Sequence, residues 1–174
     1  MSTALSELSI PVVVQMLTGL ASVIDKAAGY VAEKKCDPQA LLTARFAPDM
    51  YDLAKQIRVA STWGVSIAGR LAGVEPLKFS DDEKTFDDLK ARVSRAIAFA
   101  QSVDKKAIDA NADAVISFQA GPNVRKFKGK DFLMHFALPH FFFHCTTAYD
   151  LLRHSGAPIT KRDFMGPVQG MIES

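Results

Sequence analysis

Four stretches of the 174-residue chain repeat their apolar side chains at steps of three and four, and this period constrains the fold more than any other feature. Val13, Leu17, Leu20, Ile24, Ala28 and Val31 mark the first stretch, which predicts a helix from about Pro11 to Lys35. Leu53, Ile57, Ala60, Gly64, Ala68 and Leu71 mark the second, from Pro48 to Ala72 with Gly73 as its stop. The small residues in that stripe predict close approach of a neighbouring backbone. Phe86, Leu89, Val93, Ile97 and Ala100 mark the third, ending near Val103 and opened by a capping-box pattern at Ser80-Asp-Asp-Glu83. The fourth runs from about Lys130 to His154, stops at Gly156 and contains Pro139, which predicts a kink between Phe136 and His140. Each stripe must be buried against another element, so four of them predict an all-α fold, a four-helix up-down bundle occupying residues 1–174 as one domain.

Between the third and fourth stripes the period changes. Ala114–Phe118 and Val124–Phe127 are β-compatible runs on either side of Gln119-Ala-Gly-Pro-Asn123, a turn signal that predicts a short hairpin before the last helix. The tail from Ala157 has no clear period and is expected to lie extended on the surface, pinned by Phe164.

Composition narrows the classes of function. Hydrophobic residues are 48% and charged residues 23%, ordinary for a globular protein. A net charge of +2 gives no general reason to bind nucleic acid or membrane. The apolar first stretch is broken by Pro11, Gln15, Thr18, Gly19 and Ser22, and the residues before it lack the basic region of a secretory signal. Cys36 and Cys145 form no paired spacing. A cytoplasmic location is the expectation.

Chemistry concentrates in the last helix. His140 and His144 are four apart, so their directions differ by about 40° and both could reach one metal ion. Their sector also holds Leu133, Phe136, Thr147 and Leu151, which predicts that the imidazoles face the apolar interior, where they need a hydrogen-bond partner or a metal. His135 and His154 cannot join the same site, being on another face and about 15 Å along the axis respectively. A third ligand must come from another helix; Gln56 borders the second stripe and Asp52 lies one turn earlier. Two readings stand: hydrogen-bonded core histidines, or metal ligands.

Three helices, a hairpin and a last helix carrying His140-Phe-Phe-Phe-His144 and ending Leu151-Leu-Arg-His-Ser-Gly156 resemble the DinB/YfiT-like superfamily of metalloenzymes. Phe136–His154, followed by Lys161-Arg-Asp-Phe164, is most similar to an uncharacterised bacterial family within it. The resemblance implies a four-helix bundle, often dimeric, holding a divalent metal such as zinc or nickel on three histidines. His140 and His144 match the pair on the last helix. The second helix has no histidine, which leaves Gln56 or Asp52 to complete the set. Some members of the superfamily are thiol-dependent transferases.

Other features carry less chemistry. Cys145 points about 100° from His144, which makes it a poor nucleophile partner and favours a buried, inert thiol. Phe141, Phe142 and Phe143 cover most of the helix circumference; at least one must leave the core, which favours a homodimer interface. Arg125, Lys126, Lys128 and Lys130 read first as a solvated hairpin edge and second as a contact for an anionic substrate. Gly64-Val-Ser-Ile-Ala-Gly69 lacks nucleophile-elbow spacing, and no dinucleotide, P-loop or His-Glu-x-x-His pattern is present. Function therefore divides between a non-catalytic, small-molecule-binding module with an incomplete metal site and a divalent-metal-dependent hydrolase or thiol transferase built on His140 and His144.

Overall fold

A computed structural model describes residues 4–170; residues 1–3 and 171–174, the ends of the expected domain and tail, lie outside the described residues. The chain is mostly helical with one two-stranded sheet. Helix α1 (Leu5–Lys34) begins well before Pro11. Proline withdraws the donor for the Glu7 carbonyl, but Glu7 lies on the exposed face, where water can replace it. A short helix α2 (Pro38–Leu42) follows. Helix α3 (Leu53–Ala72) starts later than the stripe suggested, because the extended Asp52 caps it by accepting the Lys55 N–H at 2.9 Å. Gly73, in the left-handed conformation, ends it as expected.

Helix α4 (Phe86–Ser102) overturns the expected start at Ser80. The working capping box is Thr85 with Asp88, whereas Ser80 Oγ donates to Asp82 and Glu83 is drawn away by two arginines. A short helix α5 (Lys105–Ala110) leads to strands β1 (Val115–Ala120) and β2 (Asn123–Lys128). The strands pair antiparallel, Phe118 opposite Arg125, around a two-residue turn at Gly121-Pro122. Ile116 and Phe118 are buried, so alternation places Arg125 on that inner face and Lys126 and Lys128 on the other.

The last long helix has three parts: α6 (Gly129–Asp131), a π-helical segment (Phe132–Ala137) and α7 (Leu138–His154). The irregularity expected at Pro139 is thus a widened turn immediately before it. Helix α8 (Lys161–Met165) gives the tail regular structure, with Thr160 and Asp163 as its capping box, in place of the expected extended chain.

Helices α1, α3, α4 and α7 pack on one another, with α3 touching the other three, and their stripes merge into one apolar cluster with buried residues of the hairpin. By length and composition alone α1 could cross a membrane, contrary to the reading that its polar residues break it; 50% of its most apolar window is buried, and the helix packs on α4 and α3. Two glycines set distances. At Gly64 the neighbour is the Leu17 side chain, 2.9 Å from where a Cβ would stand, and not a backbone. At Gly19 it is the backbone of α8: a Cβ would lie 2.2 Å from the Phe164 carbonyl oxygen. Lys26 pairs with Asp163 at 2.6 Å and Tyr149 meets the Phe164 ring, so Phe164 does pin the tail.

Candidate functional site

The two histidines of α7 occupy different environments. His144 is 7% exposed, and its Nδ1 lies 2.6 Å from Gln56 Oε1 on α3. Gln56 Nε2 donates to the Tyr51 carbonyl at 3.2 Å, which identifies the atom facing His144 as the amide oxygen. An amide oxygen only accepts, so Nδ1 carries the hydrogen and Nε2 keeps its lone pair. Burial, followed by the adjacent His140, lowers the His144 pKa to about 4, so the ring is neutral at neutral pH.

His140 is exposed, which corrects the expectation that both rings enter the interior. On the first turn of α7, His140 leans over Trp63, with centroids 4.7 Å apart, and over Phe136 at 4.9 Å. Partial burial and the Arg125 charge hold its pKa below the ordinary imidazole range. The His140 and His144 centroids are 6.0 Å apart.

This arrangement does not fit the metal centre that the resemblance implies. Zinc at about 2.1 Å from two ring nitrogens in tetrahedral geometry holds the centroids about 5 Å apart and requires at least a third ligand. Gln56 is engaged with His144. Asp52 is spent on the α3 cap and on Arg45, 3.4 Å away. Among the described residues no three His, Cys, Asp or Glu side chains gather. Cys145 is buried beside the pair, and burial pushes its thiol far above the ordinary range, the inert state expected of it.

The more open feature is a cleft of about 360 Å³ between α3, the hairpin and the π-helical segment. Its walls include Trp63, Phe118, Phe136 and His140, and its basic groups are Arg70 and Arg125. The Arg70 guanidinium lies 4.7 Å from the Phe118 centroid and its Nε donates to Ser66 Oγ at 2.8 Å. Arg125 lies 5.2 Å from the Phe136 centroid. Sequence reasoning did not single out Trp63 or Arg70. The available signal was a tryptophan and an arginine seven residues apart on one helix, close to two full turns and hence on one side.

A second arginine cluster was also missed. Arg92, 2% exposed on α4, donates through Nη1 to Glu83 and through Nη2 to Thr62 Oγ1, each at 2.8 Å, and its Nη2 forms an ion pair with Asp81 at 2.8 Å. It stacks 4.0 Å from the Phe79 centroid, and Arg58 shares Glu83 at 3.0 Å. Its signal was an arginine three residues after Leu89, inside an apolar stripe.

A family model described as a domain of unknown function (DUF1993) matches residues 5–165. A crystal structure of a DinB family member protein from Shewanella denitrificans is similar over 97% of this chain and 96% of that one, at 28% sequence identity and a TM-score of 0.86. No curated protein matches the chain.

Proposed function

The chain belongs to the DUF1993 family, within a DinB-like superfamily, and we propose that it is a non-catalytic module that binds a small molecule in the cleft beside His140. The four long helices, with α3 touching the other three, support an up-down four-helix bundle forming one domain. The observation that carries the reading is the Gln56–His144 hydrogen bond. It satisfies a buried imidazole with a neutral amide in a bundle where relatives implied by the resemblance use a histidine ligand, while His140 turns to the wall of an aromatic cleft. We read the protein as cytoplasmic and as a homodimer. Phe141 is fully buried but Phe143 is 55% exposed, which supports association; a monomer in light scattering would count against it.

The second reading, a zinc- or nickel-dependent hydrolase or thiol transferase, is favoured by one detail: with Nδ1 bonded to Gln56, the His144 Nε2 lone pair is the atom that metal-binding histidines commonly use. Two measurements separate the readings. Protein purified without a histidine tag and soaked in excess zinc should retain only substoichiometric metal after desalting; one equivalent per chain, lost in His144→Ala, would establish the second reading. Emission from Trp63, the sole tryptophan, should respond saturably to at least one of benzoate, benzamide and benzylamine, and a response to none of them removes the cleft as a ligand site.

A further inference from the structure

The cleft beside His140 combines stacking surface with positive charge that nothing nearby neutralises. Neither Arg70 nor Arg125 makes an ion pair among the described residues. Glu75 is the acidic side chain that acts on Arg70, but it lines the neighbouring grooves and not this cleft, and it is paired with Lys78 at 3.3 Å. Arg70 is half-buried against Phe118, and a partly desolvated guanidinium without a carboxylate is costly unless an anion arrives. Arg125 is delivered from the other side by cross-strand pairing with the same Phe118. Both arginines therefore border the cleft over the Phe118–Phe136 ring pair, whose centroids are 5.6 Å apart. Trp63, tilted against His140, continues the same ring surface, edge-on to Phe136 at 5.5 Å and to Phe118 at 6.5 Å. Buried Ser66 Oγ accepts from Arg70 Nε and orients the guanidinium.

We propose that this cleft binds an aromatic carboxylate, the ring stacked on the Trp63–His140 wall and the carboxylate held by Arg70 and Arg125. Arginine suits the role because its planar fork pairs with a carboxylate through two parallel hydrogen bonds while its face rests on an aromatic ring. A volume of about 360 Å³ is at the small end of ligand clefts, which favours one or two fused rings over a nucleotide. The proposal rests on the reading of the cleft as a ligand site and adds its chemical class.

Benzoate, benzamide, benzylamine and inorganic phosphate serve as probes, read by Trp63 emission and by calorimetry on the intact chain. Benzoate should bind at least tenfold more tightly than neutral benzamide, and benzylamine and phosphate more weakly still. Arg125→Gln, on the exposed hairpin, should weaken benzoate at least fivefold and leave benzamide unchanged; Arg70→Gln should do the same, with an unaltered circular dichroism spectrum establishing its fold. Benzamide or benzylamine binding as well as benzoate would overturn the carboxylate claim alone and leave the cleft a ligand site. Phosphate matching benzoate would overturn the aromatic claim. Silence from benzoate, benzamide and benzylamine would sink this proposal together with the reading beneath it.

Discussion

Arg92 and Arg70 contact opposite kinds of company, although Thr62 and Ser66, their respective partners, are only four residues apart on α3. Arg92 meets two carboxylates, a hydroxyl and an aromatic face. Arg70 meets one hydroxyl and an aromatic face, with no acid in ion-pair range among the described residues. The first cation is neutralised from within and ties the loop before α4 to α3. The second, joined by Arg125, is left for something outside the chain to neutralise. Burial of a charge therefore says little about its role until its counter-charge is located.

The contrast can be broken by stability measurements. Arg92→Ala leaves Glu83, itself 9% exposed at the side chain, with Arg58 as its remaining partner, and should cost about 2–3 kcal/mol in urea unfolding with an unchanged slope. Arg70→Gln breaks no ion pair, and should cost about 1 kcal/mol or less by the same measurement. Equal losses at the two positions would erase the distinction.

Between those extremes lies His144, a buried group held neutral by its burial. Its pKa falls to about 4 in the folded chain, below the unfolded imidazole value of about 6.5, so the unfolded state binds more protons between those limits. Stability from this group is complete above about pH 6.5 and is lost as pH falls towards 4, by about 2 kcal/mol after allowing for solvent near the ring. His144→Gln should remove that part of the slope, measured as the difference between the two unfolding-versus-pH curves. An unchanged slope would mean that burial does not hold the ring neutral. The smallest expected effect is at Arg125, exposed on the hairpin: Arg125→Gln should change stability by no more than about 0.5 kcal/mol, and a larger loss would place it with Arg92 as a structural charge.

Much of this was legible from spacing. The apolar stripes located the four long helices, and Gly-Pro-Asn located the hairpin, because both signals depend on neighbours in sequence. The start of α4 was misplaced because Ser80-x-x-Glu83 and Thr85-x-x-Asp88 are equivalent locally; what separates them is the pull of Arg58 and Arg92 on Glu83, a contact across 9 to 25 residues. Gln56 was placed beside the histidine pair from its position on the stripe, and its 2.6 Å contact to His144 follows from that. The exposure of His140 was not readable, since it shares a helix face with buried His144 and differs from it in lying on the first turn of α7, where the cleft opens.

The widened turn before Pro139 has a consequence for how the chain tolerates change in length. A π-helical turn holds one residue more than an α-helical turn, so removing one residue between Phe132 and Ala137 lets the segment close into regular helix with the parts on either side close to their present orientation. The hairpin would keep Phe118 and Arg125 beside Trp63, and His144 would keep Gln56. The same deletion between His140 and His144, inside regular α7, would instead turn one ring about 100° from the other.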